Sequence, residues 1–233
     1  MKVGITLPQF RHDAEAALAA AREAESAGID GVFVFDHLWP IGQPNRPIVS
    51  SLALLGALAV ETSELSIASL VMRVGVFRDE ALVAELLRVQ EISGGRLLAG
   101  LGTGDRLSED ENRAYGIPYG SVHERRAELR RVALALRAGG CPVWIGAGTT
   151  VSPGTREVAR DVGAALNVWD TGVMSVAAER EVEVTWGGPV PGGAHAVAER
   201  LRELSEAGAT WAVCAWPESL DAVAEARRLL NSG

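Results

Sequence analysis

Short β-branched runs alternate with Ala/Leu/Arg/Glu-rich stretches of helical period from one end of the chain to the other, which constrains the fold more than any other feature. Strands are predicted near Val3 to Leu7, Gly31 to Phe35, Leu65 to Val71, Leu97 to Leu101, Pro142 to Gly146, Ala165 to Trp169, Val182 to Trp186 and Thr210 to Ala215. Between the first two, Asp13 to Ala27 sets Ala17, Leu18, Ala21 and Ala24 on helical spacing, and Gly28 stands where a left-handed C-cap is wanted. Leu201 to Ala207, Gly208 and the last strand repeat that order. Eight βα units in 233 residues predict a single (β/α)8 TIM barrel over residues 1–233, a compact version with short loops.

An open doubly wound sheet is the rival architecture. Its first strand should lead into a G-x-G-x-x-G turn opening a helix, whereas here it leads into Pro8-Gln9-Phe10. Ser93-Gly94-Gly95-Arg96 follows a helix and precedes a strand, so in a barrel it belongs to the non-catalytic face and to stability.

Composition narrows the function classes. A net charge of -8, with no Lys/Arg run carrying interleaved aromatics, argues against a nucleic-acid partner. No apolar stretch is long enough to span a bilayer, which argues against a membrane. Met1 to Pro8 runs straight into a strand with no signal-peptide core. Cys141 and Cys214 are isolated within or beside apolar runs and read as buried free thiols, so a cytoplasmic setting is expected. His12, His37, His123 and His195 are scattered without ligand spacing, and no metal is expected. Nor is there a G-x-S-x-G nucleophile elbow. Redox chemistry with an organic cofactor and a small-molecule substrate remains.

In a barrel, chemistry sits where strands end at their C-terminal side. The second strand ends in Phe35-Asp36-His37-Leu38-Trp39, which suits proton transfer beside a flat ligand; alternatively, Asp36 caps backbone groups and His37 is a satisfied polar residue. The fourth ends in Gly100-Leu101-Gly102-Thr103-Gly104-Asp105, where glycines let a planar ligand approach or mark a barrel corner. The fifth runs into Gly146-Ala147-Gly148-Thr149, with Ser152-Pro153-Gly154 before a helix expected near Thr155, offering either amides to a phosphate or a plain N-cap. After the third, apolar residues continue through Met72-Arg73-Val74, as backing for something at the mouth or as a small loop core.

In order and spacing, Val3 to Gln9, Ala24 through Gly28 to His37, Ser93 through Gly104, Ala114-Tyr115-Gly116-Ile117-Pro118 and Pro142 to Gly146 resemble the luciferase-like monooxygenase family, the bacterial-luciferase superfamily of barrels that bind FMN or the deazaflavin coenzyme F420. The resemblance implies a cofactor ring at the mouth against a bulge of the third strand, often with a non-prolyl cis peptide, here at Ser69 to Leu70 or Leu70 to Val71. Gly102-Thr103-Gly104-Asp105 is similar to the element of the F420-dependent branch, which implies ring contacts from Thr103 and Gly104 and places Asp105 near the reacting carbon. Asp36 and His37 match that branch, with His37 the proton donor or acceptor, and Gly146, Ala147 and Gly148 match its phosphate-contacting turn. The chain departs from relatives in Asp79-Glu80-Ala81 and in its short connection Asp170 to Glu181, so no substrate residues carry over.

The implied function is hydride transfer between F420 and a small organic substrate, with His37, Asp105 and Asp36 as the catalytic set. The alternatives are an FMN-dependent monooxygenase and a non-enzymatic flavin-binding protein. A homodimer is implied as the assembly.

Overall fold

A computed structural model describes residues 1–231 apart from Ile41, Pro191, Trp216 and Glu218, and only the backbone of Met174 and Asn231. The elements in order are β1 (Lys2–Thr6), α1 (Glu15–Ser26), β2 (Gly31–Val34), α2 (Ser51–Glu61), β3 (Ser66–Ser69), β4 (Met72–Arg73), α3 (Asp79–Ile92), β5 (Leu97–Gly102), α4 (Arg106–Ala114) and α5 (Val122–Ala138). They continue with β6 (Val143–Gly148), α6 (Pro153–Val162), β7 (Ala165–Trp169), α7 (Val173–Ala177), β8 (Val184–Pro189), α8 (Ala194–Glu206), β9 (Ala209–Ala215) and α9 (Leu220–Asn231). Every pairing is parallel, β9 pairs with β1, and β3 pairs with both β2 and β5, so the sheet closes on itself. Because β3 and β4 are two halves of one stave, both against β5, the barrel has eight staves and is the (β/α)8 fold that the alternation implied.

Each strand has two buried faces. Outward residues such as Val3, Ile5, Val32, Ile67, Ala99, Ile145 and Leu166 form one continuous core with the helices. Those helices present apolar residues at turn spacing: Ala17, Ala21 and Ala24 on α1, and Leu82, Leu86 and Val89 on α3. Inward residues build a second, smaller core around Phe33, Trp144 and Trp211. Their ring centroids lie 5.4 to 5.8 Å apart, in stacked and edge-on pairs. A side chain at Gly4 would collide with Phe33, its Cβ only 2.4 Å from that ring. The lumen is therefore solid in its middle and opens only at the mouth.

Most expected boundaries shift by a residue or two, and three of the shifts are informative. The third stave does not run unbroken to Val71: β3 stops at Ser69, the Leu70–Val71 peptide is cis, and β4 resumes at Met72. This settles which of the two bonds is involved. The seventh stave is Val184–Pro189 instead of Val182–Trp186, because Trp186-Gly187-Gly188-Pro189, which reads as a terminator, pairs with β9 as far as Ala215. The helix expected from Thr155 starts at Pro153, where Ser152 caps it and proline occupies the first turn.

At the N-terminal ends of the strands, Ser93-Gly94-Gly95-Arg96 has the stabilising role expected. Gly94 and Gly95 adopt positive φ, and the Arg96 guanidinium donates to Ser93 O, Leu65 O, Ala59 O, Thr62 O and Thr62 Oγ1 at 2.7 to 2.9 Å. It ties α2 and the start of β3 to β5. Arg96→Ala strands these acceptors and should lower unfolding free energy by about 3 kcal/mol, read as a reduced urea midpoint. Arg96→Lys, lacking the planar fork, should recover less than half of that loss.

Candidate active site

Several inward-facing positions near the mouth are glycine: Gly100 and Gly102 on β5, Gly146 on β6, and Gly187 on β8. The room this leaves is partly taken by the bulge. A Cβ on Gly100 would sit 2.0 Å from Ser69 O, while Cβ atoms on Gly102 and Gly146 would meet the Val71 side chain at 2.5 and 2.9 Å. The glycines therefore first admit the Leu70–Val71 bulge, and the surface offered to a ligand is the bulge itself.

Above it lies a cleft of about 530 Å³, in the usual range for cofactor sites. Leu70, Val71, Gly102, Thr103, Gly104, Asp105, Gly146, Ala147, Gly148 and Thr149, all named from the sequence, line it together with Asp36 and His37. Ser69 is fully buried one residue behind and gives its hydroxyl to Gly100 O at 2.8 Å. Phe35 and Arg73, from strand ends that the sequence placed at the mouth, line the cleft too, as do Phe10, Asn167 and Trp169, which sequence reasoning missed.

His37 is held by a partner that the sequence did not reveal. Its Nδ1 lies 2.8 Å from Glu111 Oε1, on the buried face of α4. Glu111 Oε2 accepts from the Leu38 amide and from Arg73, both at 2.8 Å. Burial pushes the Glu111 carboxyl up, but the His37 hydrogen bond, the Leu38 amide and the charge of Arg73 outweigh it and hold the group below the usual carboxylate range. An ionised carboxylate only accepts, so His37 Nδ1 donates, and Nε2 is the nitrogen left for proton exchange. Arg73 also donates to Asn112 Oδ1 and Ser108 O, leaving its buried Nε without a partner.

Both oxygens of Asp36 are engaged: Oδ1 accepts from Ser51 Oγ at 2.7 Å and Oδ2 from the Arg73 amide at 2.8 Å. The carboxylate ties β2, α2 and β4 together beside His37. Asp105 caps α4, its Oδ1 accepting from the Leu107 and Ser108 amides, while the residue stays exposed at the rim. Gln9, fully buried, pairs its side-chain amide with both backbone groups of Phe35 and so joins the ends of β1 and β2.

The opposite end of the cleft suits an anion. Thr149, Thr150 and Thr155 line it where α6 begins. Arg126 reaches Ser152 Oγ at 2.9 Å, and a Cβ on Gly154 would occupy the place of its guanidinium. A flat apolar support, an imidazole fixed by a carboxylate and the start of a helix thus stand in one cleft.

The sequence profile described as luciferase-like monooxygenase matches residues 1–210. The chain belongs to this family. Among curated luciferase-like relatives, the F420-dependent glucose-6-phosphate dehydrogenase of Beutenbergia cavernae is 30% identical over 139 residues, covering 59% of this chain and 39% of that protein. Its namesake in Intrasporangium calvum is 30% identical over 115 residues, covering 49% and 34%. The chain therefore matches little more than a third of the length of either. In fold, this luciferase-like barrel superposes on an F420-dependent secondary alcohol dehydrogenase in complex with an F420-acetone adduct (TM-score 0.82, 12% identity, 98% of both chains). It also superposes on the F420-dependent tetrahydromethanopterin reductase of Methanopyrus kandleri (TM-score 0.74, 13% identity, 97% of this chain and 96% of that one).

The lowered Glu111 carboxyl has a pH signature. With its folded value below its unfolded one, the ionised form stabilises the fold above the ordinary glutamate range, and that contribution disappears as pH falls through the folded value. Urea midpoints measured between about pH 6 and about pH 3 should fall more steeply for the natural protein than for Glu111→Gln; matching slopes would refute the linkage.

Proposed function

We propose that this chain is an oxidoreductase that holds coenzyme F420 in the cleft and moves a hydride between it and a small organic substrate. The observation that carries the reading is the Leu70–Val71 bulge seated over Gly102 and Gly146, next to an imidazole fixed by a buried carboxylate. The names of the curated relatives point the same way. When bound, the deazaflavin supplies a ring carbon that accepts or gives a hydride.

Leu70 and Val71 would back the cofactor ring, and Thr103 and Gly104 would help hold it. Gly146, Ala147, Gly148 and Thr149 would hold the phosphate, helped by the helix start and by Arg126. His37 Nε2 takes or returns the substrate proton, while Glu111 fixes the tautomer and Asp36 fixes the backbone on which His37 stands. Asp105, at the rim, approaches the substrate from the other side.

Titration of the purified protein with F420 and with FMN tests this. F420 is expected to bind at least about tenfold more tightly. The reverse order would favour an FMN-dependent monooxygenase, the reading that the family's description supports. Binding with no turnover of any substrate would leave a flavin-binding protein. His37→Ala should lower kcat by about 100-fold or more with F420 affinity nearly unchanged; unchanged turnover would remove His37 from the mechanism.

The protein works as a homodimer. Supporting this, α2 turns Ala53, Gly56, Ala57 and Val60 away from the core, with Val60 74% exposed. Light scattering should give twice the chain mass, and Val60→Glu should halve it. A cytoplasmic location fits the unpaired Cys141 and Cys214, and none of the described helices is long and apolar enough to cross a membrane.

A further inference from the structure

Beside the cofactor cleft lies a second cavity, of about 470 Å³. Its walls are the connection from β4 to α3, the connection from α4 to α5, and the first half of α5. Among the described residues it shares only Arg73, Thr103 and Gly104 with the cofactor cleft. Val74, Val76, Phe77, Ile117 and Pro118 give it an apolar lining of its own, and its volume is ample for a small organic ligand.

Unmet hydrogen-bonding capacity is concentrated here. Among the described residues, three buried side-chain nitrogen or oxygen atoms lack a partner, and two of them are the Nε atoms of Arg73 and Arg125, which both line this cavity. Buried polar groups normally find partners, so two orphan N–H donors at one cavity call for an acceptor. Arg73 directs its terminal nitrogens to Glu111, Asn112 and Ser108 O, away from its Nε. Arg125 lies over Tyr119, 4.0 Å from the ring centre, and gives Nη1 to Gly120 O at 2.5 Å. Tyr119 is itself fixed, its hydroxyl donating to Asp105 O at 2.6 Å. The Nε and Nη2 edge of Arg125, the side that grips a carboxylate through two parallel bonds, has no partner among the described residues.

Charge selects among acceptors. Glu111 neutralises Arg73, and Arg78 is exposed with Glu80 3.9 Å away. Glu124 accepts from the Ser121 amide and hydroxyl at 2.8 and 2.7 Å, and so serves the start of α5. Burial and the neighbouring Asp79 push the Glu128 carboxyl up, toward its uncharged form. Arg125 is left as the lining cation without an ion pair among the described residues. The geometry points to a second binding site, for a small organic monocarboxylate whose two oxygens accept from Nε and Nη2 of Arg125 while its apolar body packs on Val76, Phe77 and Ile117. Arg73 Nε offers a further donor from β4. The same arginine holds Glu111, so an occupant borders the group that fixes His37. This site stands whichever cofactor the first cleft holds.

Calorimetric titration of the whole chain with benzoate tests this. Benzoate is expected to bind with a Kd below about 1 mM, and benzamide, its uncharged isostere, at least about tenfold more weakly. Arg125→Gln should weaken benzoate binding at least about tenfold. Phe77 is 43% exposed, so Phe77→Asp spares the fold; its like charge should weaken benzoate binding about fivefold, and it decides the matter if Arg125→Gln does not fold. Bound benzoate should persist when F420 or FMN is added. A weaker benzoate Kd than stated, equal affinity for benzamide, unchanged affinity in the folded variants, or displacement by either cofactor would each overturn the site.

Discussion

The site depends on one packing relation, the seating of Val71 between Gly102 and Gly146. Neither glycine tolerates a Cβ there, because the valine methyls already occupy the space. That contact lifts the third stave off the barrel wall and turns Leu70 and Val71 into a surface facing the mouth. Beneath it, Phe33, Trp144 and Trp211 fill the lumen, so the bulge rests on a close-packed layer. A ligand can approach from above only, which gives the cleft a fixed floor.

Electrostatics adds a second fixed element. Glu111 is almost wholly buried and would be costly as a lone ion; Arg73, His37 and the Leu38 amide neutralise that cost together. Arg73 belongs to the stave that bears the bulge, and Asp36 accepts from its amide. The bulge and the His37 imidazole are thus joined through one arginine, which makes their relative placement a property of the core.

Family membership and local chemistry divide the functional argument. The profile match says which family this barrel belongs to, and the superpositions say that its fold is shared across the whole chain. The connection between β7 and β8 holds only the short helix α7.

Much of this was readable in the sequence, for a definite reason. Alternating periods of two and 3.6 residues are local, and eight repeats leave few topologies that close. Strand-end residues such as His37, Thr103 and Gly148 followed, because the C-terminal rim of a barrel is known once its strands are placed. What stayed hidden was non-local. Glu111 sits in Arg106-Leu107-Ser108-Glu109-Asp110-Glu111, a run whose charge reads as a solvated helix face, and its burial depends on Arg73 lying 38 residues away. Asn167 and Trp169 read as ordinary strand residues until closure turned them inward. The chain's own pattern determined the barrel and its rim; only tertiary packing decided which carboxylate could be buried, because an ion becomes tolerable inside a protein when partners from other segments meet it there.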